Sequence, residues 1–509
     1  MADRRNVLFV IIDQFRADCL EGALADHVDL PNLRGLMRDA VSFSNHFSVC
    51  APCGPSRASI LTGQYAMNHR AVRNGTPLPG DKPNLATELR KGGYRPLLFG
   101  YNDIAQDPRR HDPNDPVLHT YEEVMHGFQE VVEMRLEESW PWRADLMAKG
   151  YDLPPYPDIF RPSGPAVDEP AIYSADDSDT AFLANALIRD LAARPPGWFA
   201  HITFIRPHPP LVAPAPYNRM YDPAALPAPV ASGDVTAERA RHPFLDACLG
   251  NRSIASNVQG FPNLEPTGDT IAKLRAIYLG LATEVDRHLG RILDFLKDSG
   301  QYDDTLLVVT SDHGEMLGDH HAWGKMTIYD AAYHVPLIIR DPSMMGQFGQ
   351  TVSNPTESVD VTPTILDLLG LEIPDSMDGQ SLAVFLNGET PAAWRTHTYS
   401  ELDFGDPVSP AAVQSELGLT ADESNVAILR TGDHTLVHFA GDLPQMLFDR
   451  NGEGELRDMA GRADTAAIQL DLSRRMLSHR MRNPEGLFAN TMITEKGVQT
   501  GARTTGSNT

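Results

Sequence analysis

The chain has 509 residues and an ordinary globular composition, with 42% hydrophobic and 22% charged residues. Its formal net charge of -25 argues against nucleic acid or an anionic membrane surface as a partner. Four cysteines are too few for a disulfide framework, and the apolar run Val7 to Ile12 is too short for a signal-peptide core. No stretch approaches ~18 apolar residues, so we expect a cytoplasmic protein without a membrane segment.

The first candidate site residues follow the first predicted strand. Asn6 to Ile12 is a short, almost continuous apolar run rich in β-branched side chains, which is typical of a strand buried on both faces of a parallel sheet. Asp13 and Gln14 come next, at the edge where open α/β sheets bind ligands. Asp13 is therefore a candidate metal ligand, although an Asp at this point is also a common cap.

A cysteine-containing motif between residues 49 and 63 carries the strongest functional signal. Cys53 stands at or just before a predicted helix start, because Pro55 suits the first helical turn. Free N–H groups and the helix dipole favour an anion there, and Arg57 lies one turn further on. The residues Cys53, Pro55, Ser56, Arg57, Leu61, Thr62 and Gly63 form the pattern C-x-P-S-R-x-x-x-L-T-G.

This motif resembles the signature of the formylglycine-dependent sulfatases, a branch of the alkaline phosphatase superfamily. The resemblance implies that Cys53 is oxidised to formylglycine, whose hydrated diol attacks sulfur or phosphorus and forms a covalent sulfo-enzyme intermediate. A competing interpretation uses Cys50 and Cys53 as a C-x-x-C redox or zinc motif. No second C-x-x-C exists in the sequence, and a redox motif does not need the following P-S-R-x-x-x-L-T-G.

Two residues are candidates for substrate binding. Asn74 could hydrogen-bond a substrate oxyanion, although Asn-Gly is first a turn signal. Tyr101 follows the strand predicted over Tyr94 to Phe99, within Gly-Tyr-Asn-Asp. The ordinary sulfatases carry a pattern like G-K-W-H-x-G here, in which the Lys and the His act on the sulfate group. The G-Y-x-x form of this chain is instead similar to that of the phosphonate monoester hydrolases.

The next stretch supplies a candidate proton donor. Residues 104–175 have weak periodicity, and we interpret them as a long excursion that either partly covers the site or forms a structural loop layer. A helix over 178–193 and a strand over 197–205 follow. His208 then stands between prolines, which suits a group that protonates a leaving oxygen, although a lone histidine is more often structural.

The second metal-binding segment follows another buried strand. A helix is predicted over 270–299 and a strand over 305–310, which ends in Ser-Asp-His-Gly-Glu. Asp312 and His313 therefore emerge where Asp13 does. With Gln14 and the diol oxygen of an oxidised Cys53, they make a mixed nitrogen and oxygen site for one divalent cation. Family sulfatases usually carry Asp-Asn here and bind Ca²⁺, whereas a histidine favours Mn²⁺ or Zn²⁺.

One lysine completes the candidate site. Lys325 lies in the run G-D-H-H-x-x-G-K, at the place where the family keeps a lysine facing the transferred group. The resemblance assigns to Arg57, Asn74 and Lys325 the neutralisation of charge on that group. His208 or Lys325 then protonates the leaving oxygen.

The predicted architecture is that of the family resembled, an alkaline-phosphatase-like α/β/α sandwich with a large, mostly parallel sheet and a smaller C-terminal antiparallel sheet. A strand over 335–340, a helix over 357–370, short strands over 425–430 and 434–439 and a helix over 469–482 fit this scheme. Residues 1–389 would form the catalytic domain and 390–482 the smaller one. Residues 483–509 would be a disordered tail or an arm reaching a neighbouring subunit.

The predicted function is hydrolysis of sulfate monoesters of the arylsulfatase type, because Ser56 completes the Pro-Ser-Arg of the motif. The alternative is a phosphonate monoester hydrolase or phosphodiesterase, which Tyr101 and His313 favour. A catalytically silent anion-binding protein is a more distant alternative. Expected partners are a small sulfate or phosphonate ester, a formylglycine-generating maturation enzyme and further copies of the chain, as a dimer or tetramer.

Overall fold

A computed structural model describes residues 4–136, 138–483, 491–495 and 497–500. Its strands are β1 (Asn6–Ile12), β2 (Val41–Phe43), β3 (His46–Phe47), β4 (Cys50–Ala51), β5 (Pro96–Gly100), β6 (Gln129–Glu133), β7 (Phe199–Phe204), β8 (Thr305–Thr310), β9 (Leu337–Arg340), β10 (Thr351–Val352), β11 (Thr356–Glu357), β12 (His397–Asp403), β13 (Asn425–Thr431), β14 (His434–Phe439), β15 (Met446–Asp449), β16 (Thr491–Thr494) and β17 (Gly497–Thr500). Its helices are α1 (Pro31–Arg38), α2 (Cys53–Thr62), α3 (Ala66–His69), α4 (Leu85–Lys91), α5 (Trp140–Ala148), α6 (Asp179–Ala192), α7 (Val235–Arg239), α8 (Pro243–Asn251), α9 (Gly268–Asp298), α10 (Val361–Leu368), α11 (Ala383–Leu386), α12 (Ala412–Leu417) and α13 (Ala466–Arg482).

The large sheet has eight strands in the order β10-β2-β9-β8-β1-β7-β5-β6. Its pairs are parallel except those of β9, which runs antiparallel to both β2 and β8. β1 lies between β8 and β7, so the carboxyl ends of three buried strands meet at one edge. Asp13, Asp312 and Arg206 follow those ends within two residues, which places polar side chains where such sheets bind ligands.

Helices cover both faces of this sheet because the side chains of β1 alternate between two apolar cores. Leu8 and Ile12 pack in a core with side chains of α1, α6 and α9. Val7 and Phe9 pack in a second core with side chains of α2, α4 and α10. A strand that is apolar at every position therefore needs a helical layer on each side, which gives the predicted α/β/α sandwich.

The smaller sheet has the order β15-β14-β13-β12-β4. Its four C-terminal strands pair antiparallel, as predicted, whereas β4 pairs parallel to β12. The sequence did not predict β4, since two residues carry no periodic signal. The chain just before Cys53 is therefore part of the small sheet, and both predicted domains contribute to it. The boundary at residue 389 stays a prediction.

Other departures from the predicted elements are local. The 104–175 excursion contains β6, whose charged, half-buried sequence suits the edge strand that it forms, and α5. The helix predicted over 357–370 is confined to α10, because β11 and a short turn precede it. Of the predicted tail, 491–500 contains the β16–β17 hairpin, while 484–490, 496 and 501–509 lie outside the described residues. Among the helices described, none is both apolar enough and long enough to span a membrane.

Candidate active site

Four potential metal donors come together at the carboxyl edge of the large sheet. Asp13 follows β1, Asp312 and His313 follow β8, and Cys53 begins α2. Nε2 of His313 lies 3.1 Å from Sγ of Cys53, 3.9 Å from Oδ1 of Asp13 and 3.7 Å from Oδ2 of Asp312. One donor atom from each residue lies within 4.8 Å of all the others, and all four residues are buried. The predicted convergence of remote segments is thus present.

The serine of the motif joins α2 to the end of β8. Oγ of Ser56 donates to the carbonyl oxygen of Asp312 at 2.6 Å and lies 3.1 Å from Oγ of Ser48. Both residues are fully buried, so this contact fixes the start of the helix against the sheet edge. The N-terminus of α2 is held from a second side, where the backbone N–H of Gly54 donates to Oδ1 of Asn74 at 3.0 Å.

Arg57 lies between the two carboxylates. Its Nη2 donates to Oδ2 of Asp13 at 2.9 Å and its Nε to Oδ2 of Asp312 at 3.0 Å. Its guanidinium stacks 4.2 Å from the ring centre of Tyr101, and it is completely buried. The sequence predicted that Arg57 points toward residue 53 and neutralises the transferred group. The structure directs its donors to the carboxylates, and a direct role on the substrate stays a prediction.

The donor set fits a divalent cation. Oδ1 of Asp13 is buried without a hydrogen-bond partner, which is costly for a carboxylate unless a ligand satisfies it. Burial, followed by the neighbouring Asp312, raises the pKa of Asp13 to about 6. Burial lowers the pKa of His313 to about 3, so its imidazole is neutral and able to ligate. Two carboxylates share one arginine, and a cation would compensate the remaining charge.

Gln14, a predicted ligand, has left-handed backbone geometry with φ of 62°. Its backbone N–H donates to Oδ1 of Asp312 at 3.1 Å, and its Oε1 accepts from Nζ of Lys325 at 2.8 Å. Its Nε2 donates to Glu315, which the sequence did not single out although it lies three residues after Asp312. Gln14 therefore bridges the metal-donor cluster and the lysine, and its ligation of a metal stays a prediction.

His208 and Lys325 form the proton-transfer end of the site. Nε2 of His208 and Nζ of Lys325 lie 2.8 Å apart. Burial, followed by the charge of Lys325, holds the pKa of His208 well below its usual range. Burial opposes the charge on Lys325, but Cys53, Asp13 and Asp312 raise its pKa. The proton shared by this pair therefore resides on the lysine.

Arg206, which the sequence did not identify, fixes the histidine. Its Nη1 donates to the carbonyl oxygens of His208 at 2.9 Å and Pro210 at 3.0 Å. Its Nε donates to Oδ2 of Asp179 at 2.9 Å, at the start of α6. Arg206 lies two residues after a buried strand, and three of the next four residues are prolines, which is the signal that could have indicated this role.

A cavity of about 300 Å³ opens onto Cys53. All predicted catalytic and substrate-binding residues except Arg57 line it. Burial raises the pKa of the Cys53 thiol, so an unmodified cysteine would be a protonated, weak nucleophile. The walls also include residues that the sequence did not single out, among them Asp103, Tyr121, Glu122, Leu136, Arg252 and Met326. Tyr121, Glu122 and Leu136 belong to the 104–175 excursion. The excursion therefore partly covers the site, which was one of its two interpretations.

Tyr101 is part of the buried network beneath the cavity. Its hydroxyl donates to Oδ2 of Asp13 and accepts from Nη2 of Arg57 at 3.1 Å. Asp103, two residues on, has left-handed geometry with φ of 56°, and its Oδ2 lies 3.9 Å from Nε of Arg57. A neutral hydroxyl and a carboxyl group thus occupy the strand end at which ordinary sulfatases are expected to carry a lysine and a histidine.

Comparisons with known proteins identify the family of this chain. Residues 5–371 match the family model described as Sulfatase, and residues 318–482 match one described as N-sulphoglucosamine sulphohydrolase, C-terminal. The chain is 37% identical to the multifunctional alkaline phosphatase superfamily protein PehA of Trinickia caryophylli, over 98% of this chain and 99% of that protein.

Two solved structures are similar over nearly the whole chain. The phosphonate monoester hydrolase SpPMH from Silicibacter pomeroyi is 58% identical, with a TM-score of 0.96 over 98% of this chain and 100% of that one. The phosphonate monoester hydrolase of Agrobacterium radiobacter is 42% identical, with a TM-score of 0.93 and the same coverage. They confirm the predicted alkaline-phosphatase-like fold. The chain is therefore a hydrolase that belongs to the sulfatase family of the alkaline phosphatase superfamily.

Proposed function

We propose that this hydrolase cleaves phosphonate monoesters and phosphodiesters, with aryl sulfates as a second substrate class. The observation that supports phosphonate esters before sulfate esters is the buried Tyr101, which is hydrogen-bonded to Asp13. At this strand end the ordinary sulfatases are expected to carry a lysine and a histidine instead. The likeness to two phosphonate monoester hydrolases supports it. The sequence placed sulfate esters first because of Ser56, but the contact of Ser56 with Asp312 serves the fold of either kind of enzyme.

The charges around the cavity favour a transferred group with a single negative charge. Asp13, Glu122 and Lys325 line the cavity and Arg252 is exposed at its rim, while burial raises the pKa of Asp103 well above its ordinary value. Two unit charges 4 Å apart interact by about 4 kcal/mol at an effective dielectric constant of 20. A dianionic phosphate monoester therefore meets more repulsion than a phosphonate monoester or a phosphodiester. A sulfate monoester also carries one charge, which is why we retain it as the second class.

The protein's own residues have distinct tasks in this proposal. Asp13, Asp312, His313 and position 53 would hold a divalent cation (Mn²⁺, Zn²⁺ or Ca²⁺), and a formylglycine at position 53 would supply the attacking oxygen, whose pKa the cation would lower. Arg57 keeps Asp13 and Asp312 in place to hold the cation. Lys325 carries the proton for the leaving oxygen, and the neutral His208 holds its ammonium group from the side. Asn74 orients the start of α2 and the substrate oxyanion.

The nucleophile is tested by intact-mass analysis. Oxidation of the Cys53 side chain to an aldehyde lowers the mass by about 18 Da. We expect the mass loss to map to the peptide containing Cys53, and a Cys53→Ala variant to lose both the mass change and the activity. Full activity with an unmodified cysteine would contradict the proposal, and absence of both activity and modification would favour the silent anion-binding alternative.

The substrate order is tested by comparing kcat/KM for three aryl esters with the same leaving group. We expect the phenylphosphonate ester to react fastest, the sulfate more slowly and the phosphate monoester slowest. The matched leaving group ensures that the ratios report on the transferred group alone. A sulfate rate above the phosphonate rate would reverse the proposed order.

We also propose that a maturation enzyme oxidises Cys53 and that the chain self-associates as a dimer or tetramer. Exposed apolar side chains on α13, including Leu470, Leu477 and Met481, support self-association. Light scattering coupled to size exclusion tests it. A monomer at micromolar concentration would exclude this part of the proposal.

A further inference from the structure

The cationic side chains at the catalytic cavity differ in whether they already have hydrogen-bond or ion-pair partners. Arg57 lies beneath the cavity and is bonded to two carboxylates. Lys325 donates to Oε1 of Gln14 and lies 2.8 Å from Nε2 of His208. Both charges are buried and already shared with protein groups, so neither is free to bind a second anion at the cavity mouth.

Arg252 is the exception. It follows α8, lines the same cavity as Cys53 and Lys325, and its side chain is exposed. Within the described part of the chain it forms neither a hydrogen bond nor an ion pair. An arginine offers five N–H donors that match a carboxylate or phosphate in a bidentate manner, and here none of them is hydrogen-bonded to another described residue.

Contact with a glycine places this guanidinium beside the catalytic lysine. Gly324 has a φ of 77°, and a Cβ built on it would lie 2.8 Å from Nη2 and 2.9 Å from Cζ of Arg252. The absence of a side chain at residue 324 thus lets the guanidinium lie against the backbone immediately before Lys325. The charge is held at the rim of the cavity by packing, although no acidic partner holds it.

We propose that Arg252 binds a second anionic group on the substrate, a carboxylate or phosphate on the part remote from the ester being cleaved. The remote part is inferred because Arg252 is exposed at the rim, whereas the nucleophile, the metal donors and Lys325 are buried. In a chain of net charge -25, an unpaired arginine at this point also provides local attraction for such a substrate. This inference rests on the proposed ester hydrolysis and specifies its substrates as esters that carry a second anionic group.

The test compares two phenylphosphonate esters of meta-substituted phenols, one bearing a carboxymethyl group and the other a carbamoylmethyl group. The methylene insulates the ring, so the two leaving groups have similar acidity and differ mainly in charge. We expect Arg252→Gln to lower kcat/KM for the carboxylate ester roughly three- to tenfold, in the range of an exposed charge-assisted contact. The amide ester should change less than about twofold, and 0.5 M salt should reduce the difference.

Two further variants and one binding measurement make the outcome decisive. Arg252→Lys keeps the charge and should restore part of the preference, while Arg189→Gln removes an exposed arginine of α6 that does not line the cavity and should change neither ester. Calorimetric titration with the two free phenols should show weaker binding of only the carboxylate to Arg252→Gln. Hydrolysis of both esters with no change in their ratio, and equal binding of the carboxylate, would overturn the inference. Failure of either ester to react, with the binding difference retained, would instead overturn the proposed function.

Discussion

Two pairs of carboxylates lie at opposite ends of the segment from residue 312 to residue 330, and they differ in burial. The side chains of the first pair are completely buried, whereas those of the second pair are 20–25% exposed. In the active site, Asp13 and Asp312 share Arg57, and Oδ1 of Asp13 has no hydrogen-bond partner. At the contact with the small sheet, Asp330 lies beside Glu455. Each pair contains one carboxyl group whose pKa is raised, chiefly by burial.

The second pair, Asp330 and Glu455, lies with Arg430 and Arg450 in a group of four residues that we call the junction cluster. Oδ1 of Asp330 accepts from Nε of Arg430 at 2.5 Å, and Oδ2 accepts from Nη1 of Arg450 at 2.5 Å. Oε1 of Glu455 accepts from the backbone N–H of Asp330 at 2.7 Å. Three of its four carboxylate oxygens accept these hydrogen bonds, so this cluster joins two parts of the fold. The active-site pair is distinguished by Oδ1 of Asp13, which is buried and has no hydrogen-bond partner, as expected of a site that holds a ligand.

The largest expected effect comes from Asp312→Asn. The change keeps the shape of the side chain but removes a charged metal donor and one of the two carboxylate partners of Arg57. We expect kcat/KM to fall by about 10³-fold or more, with loss of bound metal measured by mass spectrometry of the dialysed protein. Asp298→Asn, at the exposed end of α9, is the control and should leave both values unchanged. Retained metal and activity would remove the functional distinction between the two pairs.

Lys325→Met tests the proposed proton donor, which lies in sequence between Asp312 and Asp330. Because the proton of the Lys325–His208 pair resides on the lysine, its loss should lower kcat/KM by about 10²- to 10⁴-fold for esters of weakly acidic alcohols. The loss should be much smaller for a highly acidic phenol, which needs no proton to depart. A series of substituted phenyl esters measures this as a steeper dependence on leaving-group acidity.

The control for this series is Lys91→Met, which removes an exposed lysine paired with Glu88 on α4. It should give the wild-type dependence. A loss in Lys325→Met that is equal for all leaving groups would show that the lysine binds substrate without protonating the alcohol, and the assignment would then pass to His208.

Asp330→Asn should separate stability from activity. It leaves Arg430 and Arg450 without their shared carboxylate, and because Asp330 is 25% exposed we expect this to cost roughly 1–3 kcal/mol of unfolding free energy, between the values for exposed and buried ion pairs. We expect a lower melting temperature in thermal denaturation but a kcat/KM within about threefold of wild type for the folded protein, since no atom of Asp330 lines the catalytic cavity. An activity loss as large as that of Asp312→Asn, with unchanged melting, would contradict a structural role.

The sequence was sufficient to predict the inner part of the site. Buried strands with β-branched residues end in Asp13 and in Asp312-His313, and parallel strands necessarily bring such ends to one edge. The helix beginning at Cys53 followed from Pro55 and the motif. These features depend on local periodicity and on a rule of sheet topology, and they are the ones that agree with the structure.

Features that depend on contacts between distant segments were not predictable in the same way. β4 has only two residues, so its pairing with β12 is decided by the small sheet and not by its own sequence. Arg252 belongs to no motif, and only folding places it against Gly324. The hydrogen bonds of the Gln14 side chain to Glu315 and Lys325 depend on its left-handed backbone and were not predicted, while its ligation of a metal stays a prediction. The junction cluster likewise joins Asp330 to residues 100 to 125 positions further along the chain.

The smallest expected effect concerns Glu455 and the pH dependence of stability. Burial, followed by the charge of Asp330, raises the pKa of Glu455 to about 8 from its ordinary value of 4.5. Between those two values the folded protein holds a proton that the unfolded chain has released, so this residue makes stability fall as pH rises through the window. His320, whose Nε2 lies 3.8 Å from Oε2 of Glu455, and the two arginines of the junction cluster face the same carboxyl group.

Glu455→Gln replaces the protonated carboxyl with a permanently neutral amide. We therefore expect melting temperatures equal to wild type near pH 5 and higher than wild type near pH 8.5, by the equivalent of about 1–2 kcal/mol, since one pKa unit corresponds to about 1.4 kcal/mol. Glu453→Gln, which alters an exposed pair with Arg457, should show no such pH-dependent difference. If Glu455→Gln were instead less stable at pH 8.5, the carboxylate would be ionised and held by the arginines. The junction cluster would then be an ordinary set of ion pairs, and the resemblance between the two carboxylate pairs would be limited to their composition.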